Sequence, residues 1–135
     1  MEETIFQKII KGEIPSTKIY EDEKVYCILD INPNNLGHTL VISKEVYKDI
    51  HDTPDEIMAH MMIVAKKLAT AIKNGLGVDG VNIRMNNGEA AGQEIDHVHM
   101  HVIPRLVGDG GFGTHVKYKN DAEMAEYAEK IKAAF

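Results

Sequence analysis

The sequence has little that would support a disulfide, a cysteine-rich metal site, a membrane span or a polyanion-binding surface. Cys27 is the only cysteine among 135 residues, which excludes an intrachain disulfide and a cysteine-based zinc ribbon. No apolar run approaches the roughly 20 residues that cross a bilayer, and the charged N-terminal residues lack the apolar stretch of a signal peptide. The formal net charge of −6 argues against general binding to nucleic-acid or membrane phosphates. These absences predict a soluble cytoplasmic protein that binds neither nucleic acid nor membranes.

Internal repeats, low-complexity tracts and linker-like segments are also absent, so residues 1–135 are predicted to form one domain. Segments rich in turn formers separate five strand candidates, at residues 18–20, 25–30, 38–44, 81–86 and 97–103. Residues 5–10 and 120–134 have the apolar spacing of short terminal helices. Short connections between the first strands favour antiparallel pairing. The pattern predicts an α+β fold with an antiparallel sheet of about five strands.

A long central helix gives the clearest helical signal of the chain. Thr53, Pro54 and Glu56 stand at spacings that predict a capping box with proline in the first turn. Gly75 is the predicted end of this helix.

Three histidines stand at every second position in the last strand candidate, at His97, His99 and His101. Because side chains alternate along a strand, these three imidazoles are predicted to share one face of the sheet. The residues between them are apolar and predict the core-facing side: Val98, Met100 and Val102. Other histidines fit the common surface or hydrogen-bonded core class: His51, His60 and His115.

Two kinds of chemistry suit such a histidine strand. A His-x-His pair is a good zinc ligand set that needs one more ligand and a water molecule. The preceding loop, "NNGEAAGQ" at 86–93, has glycines and small residues that suit close approach of the backbone to an anion. A phosphate bound there would face the imidazoles, and neutral imidazole is a competent nucleophile. The loop favours the nucleophile over the metal site, with His99 in the middle as the attacking ring.

The motif "HVHMHV" and its surroundings resemble the histidine triad (HIT) superfamily. The resemblance covers about residues 4–113 and includes "LGHTLVI" and "MNNGEAAGQEIDHVHMHVIPR". It is greatest to the Hint branch, the nucleoside phosphoramidases and small prokaryotic HIT proteins, whose tail resembles "GDGGFG" at 108–113. The resemblance implies a HIT-like fold and a homodimer whose two sheets join. It also implies hydrolysis at the α-phosphorus of nucleoside 5′-phosphate derivatives, such as adenosine 5′-phosphoramidates, through a nucleotidyl-histidine intermediate.

The resemblance assigns roles to particular histidines. His99 is the implied nucleophile, and His101 and His38 complete the imidazole cluster, with His101 facing the phosphate oxygens. His97 has a structural role, and its carbonyl orients His99.

The resemblance also implies a site for an AMP-like purine nucleotide. Asp30 is the implied acceptor for the ribose hydroxyls, although the residue alone would equally suit turn initiation. The implied phosphate-side loop residues are Asn86, Gly92, Gln93 and Glu94. The implied apolar slot for the base is formed by Ile5, Phe6, Ile9 and Ile31.

The chain departs from the family pattern at a zinc site and beside the phosphate loop. Many prokaryotic relatives hold a structural zinc with two cysteines and two histidines, whose positions are Thr4, Gln7, Val46 and His97 here. One imidazole cannot hold structural zinc, so no cofactor is predicted. Glu94 replaces a serine of several Hint proteins, and its charge is expected to slow turnover or to favour cationic amine leaving groups.

Three alternative functions remain open at the level of sequence. The first is a metal-dependent hydrolase with the triad as ligands. The second is a purine-nucleotide-binding module with weak catalysis, and the third is a dinucleoside polyphosphate hydrolase or nucleotidyl transferase of the same superfamily.

Overall fold

The computed structural model describes residues 2–135, in which five strands form a single sheet. The strands are β1 (Lys18–Glu21), β2 (Val25–Leu29), β3 (Thr39–Ser43), β4 (Gly80–Arg84) and β5 (His99–Arg105). Their order is β1-β2-β3-β5-β4, and every neighbouring pair is antiparallel. The predicted α+β fold with about five antiparallel strands is confirmed. The strand ends differ by no more than two residues from the predicted ones. The most notable difference is that β5 begins at His99, which leaves His97 outside the strand.

The helices are α1 (Ile5–Ile10), α2 (Asp55–Leu76) and α3 (Asp121–Ala134). At the start of α1, the Thr4 side chain accepts a hydrogen bond from the Gln7 amide, and the Gln7 side chain accepts one from the Thr4 amide. Such a reciprocal box satisfies two amides that have no partner within the helix. Asn120 caps α3 by accepting from the Glu123 amide. Within residues 2–135, no helix has both the length and the apolar character to cross a membrane.

Both predicted ends of the central helix are wrong. The Thr53 hydroxyl donates to the Asp49 carbonyl at 2.7 Å and does not cap α2, whose N-cap is Pro54. The helix ends at Leu76, with Gly77 in the left-handed conformation at φ 67°. Gly75 lies inside the helix, where a Cβ atom would come within 2.5 Å of the Lys130 carbonyl oxygen of α3. Gly75 is therefore needed for close helix packing, whereas Gly77 supplies the left-handed turn that ends the helix.

The two faces of the sheet are covered differently. Helices α2 and α3 pack against the face that carries Val41, Met100 and Val102, and these residues belong to the main apolar core. The opposite face carries a smaller apolar cluster under α1, formed by Phe6, Ile9, Ile28, Leu40 and Ile42. Because β5 alternates, His99 and His101 lie on this second face, beside Ile42 and Leu40 of β3.

Candidate functional site

A cavity of about 460 Å³ lies on the face of the sheet that carries the histidines. This volume is within the range of small-molecule sites. Apolar residues of α1 line one end, and β4 and the loop after it line the other. Every predicted site residue except His97 lines the cavity: Ile5, Phe6, Ile9, Asp30, Ile31, His38, Asn86, Gly92, Gln93, Glu94, His99 and His101.

His99 is held by a main-chain hydrogen bond that defines its proton position. Its Nδ1 is 2.7 Å from the carbonyl oxygen of His97, and since a carbonyl can only accept, Nδ1 carries the proton. Nε2 therefore keeps its lone pair. Burial lowers the pKa of His99 from 6.5, opposed by the hydrogen bond to His97 and by the charges of Asp30 and Glu94. The ring is thus a neutral imidazole with an unprotonated nitrogen at neutral pH.

His38 and His101 form a second hydrogen-bonded unit. The amide of Asn34 donates to Nδ1 of His38 at 3.0 Å, so the proton of His38 is on Nε2. This Nε2–H lies 2.9 Å from Nδ1 of His101 and donates to it. His101 must then carry its own proton on Nε2. Burial, followed by nearby positive charge, lowers the pKa of both rings to about 3, so both are neutral at pH 7.

His97 lies behind the cavity, fully buried. Its Nε2–H donates to the Ser43 carbonyl at 2.7 Å, and the Thr4 hydroxyl donates to its Nδ1 at 2.7 Å. The ring of Phe6 contacts it edge-on, with 5.6 Å between the ring centroids. These contacts fix the backbone of His97, whose carbonyl in turn holds His99.

Asp30 combines a turn with a position in the cavity. One carboxylate oxygen accepts from the Asn32 amide at 2.9 Å, as expected of a residue that initiates a turn. The other oxygen is 3.6 Å from Nε2 of His38. Burial raises the pKa of Asp30. The turn and the functional position are therefore compatible in a single side chain.

Comparison with known proteins identifies the family. The sequence model of the HIT domain family matches residues 11–107. An uncharacterized HIT-like protein of Methanocaldococcus jannaschii is 47% identical over 128 residues, which are 95% of this chain and 98% of that protein. The chain belongs to the HIT family.

Two further relatives relate the HIT family to an activity and to a metal. The adenosine 5′-monophosphoramidase HNT1 of Saccharomyces cerevisiae is 48% identical over 101 residues, 75% of this chain and 61% of that protein. This likeness supports a place in the Hint-like branch. A Zn-bound histidine triad family protein from Mycobacterium smegmatis has a TM-score of 0.88 at 41% identity, with 96% of this chain and 91% of that chain covered.

The residues at the predicted former zinc positions do not fit a structural zinc. Both ring nitrogens of His97 are engaged in hydrogen bonds, one of them with Thr4. Thr4 and Gln7 hydrogen-bond each other in the capping box, and Val46 offers no ligand atom. A chain of hydrogen bonds therefore connects the residues at three of these four positions. The predicted absence of a cofactor stays a prediction.

Asp30, His38 and His101 bring one ligand atom each within 4.8 Å of one another. This set differs from the triad ligands of the metal hypothesis, since it includes neither His97 nor His99. The hydrogen bond between His38 and His101 already occupies one nitrogen of each ring. A cation at this place would have to displace it.

The predicted amide cradle of the glycine-containing loop is wrong for three of its residues. The amides of Ala91 and Gln93 donate to the Gly88 carbonyl, and the amide of Gly92 donates to the Glu89 carbonyl. The Gln93 side chain is also engaged: it accepts from the Gly88 amide and donates to the carbonyls of Lys48 and Ile95. The 3₁₀ turn therefore uses these amides in its own hydrogen bonds. The side chain of Gln93 holds the loop in place.

The structure adds cavity residues that sequence reasoning missed. Arg84 lies on β4 directly opposite His101. Its two-residue spacing from Asn86 in the predicted strand 81–86 was the signal that could have found it. His115 is exposed, as predicted for the surface class, but it also lines the cavity, with its Nδ1 3.3 Å from the Asn32 carbonyl. No local pattern marks His115, because a loop distant in sequence brings it there. His60 is paired with Asp22, and His51 is exposed, as predicted for that class.

Proposed function

We propose that this protein hydrolyses nucleoside 5′-phosphate derivatives at the α-phosphorus, with adenosine 5′-phosphoramidates as the substrate class. The observation that carries the proposal is the 2.7 Å hydrogen bond from His99 Nδ1–H to the His97 carbonyl. It leaves the Nε2 lone pair of a neutral ring in the cavity, which is what a nucleophile at phosphorus requires. The phosphoramidase activity of the relative HNT1 supports the same reaction.

The first step forms a bond between His99 Nε2 and phosphorus while the P–N bond to the leaving group breaks. The leaving nitrogen keeps the electron pair and takes one proton from water. The histidine ring becomes positively charged with Nδ1–H still bound to the His97 carbonyl. Asp30 and Glu94 act on His99 as negative charges, and they favour this cationic intermediate.

In the second step, water attacks the phosphorus of the nucleotidyl-histidine, and the bond to Nε2 breaks. The water proton returns to solvent, and neutral His99 is regenerated together with the nucleoside monophosphate. His101 assists both steps, because its Nε2–H can donate to a non-bridging phosphoryl oxygen. A donor held in place by its neighbours stabilises developing negative charge without reorganising during the reaction.

The nucleoside is proposed to occupy the end of the cavity formed by α1. Phe6 and Ile9 are buried there, while Ile31 is 81% exposed at the rim. An apolar slot of this kind suits a purine base. The Asp30 carboxylate lines the same cavity, 3.6 Å from Nε2 of His38, and is a natural acceptor for ribose hydroxyls.

A test of the proposed reaction is a turnover panel in metal-free buffer with adenosine 5′-phosphoramidate, a dinucleoside polyphosphate and a nucleotide sugar. We expect the phosphoramidate to have the highest kcat/KM. His99→Ala is expected to lower kcat by at least about 10³-fold while AMP binding persists. His51→Ala, which removes an exposed histidine outside the cavity, is the matched control.

Mass spectrometry of the quenched reaction completes the test. Wild-type protein is expected to carry one nucleotidyl group on His99, and His99→Ala none. Equal turnover by His99→Ala and wild type would refute the histidine nucleophile. Loss of wild-type activity on exhaustive chelation, with recovery on adding zinc, would favour a metal-dependent hydrolase at Asp30, His38 and His101 instead.

A second copy of the chain is the proposed partner of the β4 edge of the sheet. Within residues 2–135, β4 pairs with β5 alone, so its outer edge is unpaired. Exposed Ile83 lies beside Met62 and Ile63, which α2 presents to solvent at the same surface. An unpaired edge next to exposed apolar residues suits pairing with an identical strand.

The oligomeric state can be measured by size-exclusion chromatography with light scattering. We expect a dimer for the wild type and a monomer for Met62→Lys. Phe135→Lys, at an exposed residue that packs on Tyr20 of β1 at the opposite edge of the sheet, is expected to remain dimeric. A monomeric wild type would overturn this part of the proposal.

A further inference from the structure

The cavity contains a guanidinium group that the proposed reaction does not use. Arg84 lines it from β4, and Arg84 Nε is buried without a hydrogen-bond partner among residues 2–135. The hydrogen bond recorded for its side chain is a long one, 3.5 Å from an Nη atom to the Asn34 side-chain oxygen. Within the same residues, no carboxylate oxygen lies within 4.0 Å of the Arg84 guanidinium nitrogens.

A partly buried arginine with so few hydrogen-bond partners destabilises the fold. A partly buried positive charge without a counter-charge loses solvation and gains little in return. Its guanidinium has five N–H donors in a fixed plane, a geometry that matches the oxygens of phosphate or sulfate. An oxyanion entering the cavity would satisfy donors that the protein leaves unsatisfied.

The position of Arg84 in the sheet indicates which part of a substrate it would meet. Across the cavity, the apolar slot lies under α1, and Asp30 follows at the end of β2. His99 and His101 come next on β5, and Arg84 follows on β4. A nucleoside in the slot, with its phosphorus above the histidines, directs its remaining substituent towards β4. That substituent is the leaving group.

The charges that act on the histidines also differ between the two sides of the cavity. Asp30 and Glu94 act on His99, whereas Arg84 acts on His38 and His101, where it adds to the effect of burial in lowering the pKa. The β4 side of the cavity is therefore its positive side. An anionic leaving group would be attracted there, and an amine would gain nothing from it.

We propose that Arg84 is a specificity-determining residue that binds an oxyanion carried by the leaving group. This inference rests on the proposed function and extends it to nucleoside 5′-phosphate anhydrides of sulfate or phosphate. In that reaction, His99 Nε2 bonds to the α-phosphorus, and the bridging P–O bond breaks. The leaving group keeps the electron pair. Sulfate needs no proton, whereas phosphate takes one from water. Water then releases the nucleotide from His99 as before.

The test compares adenosine 5′-phosphosulfate with adenosine 5′-phosphoramidate in wild type, Arg84→Met and Arg84→Lys. Loss of a charged hydrogen bond to the leaving group is expected to lower the phosphosulfate-to-phosphoramidate ratio of kcat/KM by about 10- to 100-fold in Arg84→Met. Arg84→Lys keeps the charge without the planar guanidinium, and its ratio is expected to lie between those of wild type and Arg84→Met. Lys67→Met, which removes an exposed charge on α2, is the control and should leave the ratio unchanged.

A binding measurement separates this proposal from the proposed function. In a His99→Ala background, Arg84→Met is expected to weaken binding of adenosine 5′-phosphosulfate by a similar factor and binding of AMP much less. If the wild type hydrolyses neither substrate, the proposed function fails, and the binding measurement still decides the role of Arg84. An equal loss for phosphosulfate, phosphoramidate and AMP would overturn the proposal, as would no change in any of them.

Discussion

The two faces of the sheet use the same strands but are stabilised by different interactions. On the face covered by α2 and α3, Met100 is 2% exposed and Val102 is fully buried among apolar neighbours. On the cavity face, His99 and His101 alternate with them along β5, and each ring has a specific hydrogen-bond partner. Apolar packing depends on volume and shape. The imidazoles depend on particular partners, which also decide which nitrogen carries the proton.

Because of this difference, substitutions on the two faces should have different consequences. A change on the helix-covered face alters the free energy of unfolding, because that face holds most of the buried apolar residues. A change on the cavity face alters the proton positions of the histidines, and it affects the reaction more than the fold.

The largest effect on stability is expected from Met100→Ala, next to His99 in sequence but on the other face. Truncating a buried methionine should lower the free energy of unfolding by about 2–5 kcal/mol. The kcat of the folded protein should stay close to wild type, because no hydrogen bond of the histidines involves the Met100 side chain. Chemical denaturation and turnover of the same sample measure both quantities.

His99→Ala is the reciprocal change for this comparison. It should abolish turnover while changing the unfolding free energy less than Met100→Ala does. A fall in kcat for Met100→Ala as large as that for His99→Ala would show that the helix-covered face also controls the reaction.

The helix-covered face is also the part of the fold that could be predicted from the sequence. Alternation along residues 97–103 predicts that Met100 and Val102 face the core, and the structure confirms it. The ends of α2 could not be predicted, because they depend on contacts distant in sequence. Gly75 packs against the Lys130 carbonyl of α3, a contact that no local pattern shows.

A second prediction concerns His38, which fixes the proton of His101. His38→Leu removes the Nε2–H that donates to His101 Nδ1, so the proton of His101 is no longer held on Nε2. We expect kcat to fall by about 10- to 100-fold, since the donor to the phosphoryl oxygen is weakened rather than removed. His38→Gln keeps an amide donor of similar reach and should recover part of the activity.

The His38 prediction is tested by the order of kcat among three proteins. Wild type should be fastest, followed by His38→Gln and then His38→Leu, with similar melting temperatures for the two variants. Equal kcat for the glutamine and leucine variants would contradict a role of the donated proton.

The cavity face was predictable only in part. The spacing of His97, His99 and His101 and the resemblance to the HIT family place the histidines and the apolar slot without coordinates. The hydrogen bonds of the loop could not be predicted, because the 3₁₀ turn at Glu89–Ala91 uses amides that the sequence pattern assigned to phosphate. Arg84 and His115 were missed because a strand pairing and a distant loop bring them to the cavity.

A third prediction concerns the dependence of activity on pH. The reacting form of His99 is the neutral ring, and its pKa is lowered below 6.5 by burial. The kcat/KM for the phosphoramidate should therefore stay level as pH falls to 6.5 and decrease only at lower pH, once His99 takes up a proton. Glu94 raises the pKa of His99, so Glu94→Gln should move this decrease to still lower pH.

Glu89→Gln is the matched control for the pH profile, because Glu89 is exposed in the same loop and is not among the charges that act on His99. Its profile should coincide with that of the wild type. A decrease that begins above pH 6.5, or one that moves to higher pH in Glu94→Gln, would show that another group controls the rate.

The smallest effect is expected at Thr4, which connects α1 to His97 and so lies where the two kinds of stabilisation meet. Thr4→Val removes the hydroxyl that donates to His97 Nδ1 and caps α1, which should lower the free energy of unfolding by about 1 kcal/mol. Because the His97 carbonyl holds His99, a small displacement should also lower kcat, by about two- to fivefold. Thr4→Ser keeps the hydroxyl and should restore both values, together with the wild-type pH profile. If Thr4→Val lowered stability but left kcat unchanged, Thr4 would act on the fold alone, and the orientation of His99 would have to depend on Ser43 and Phe6.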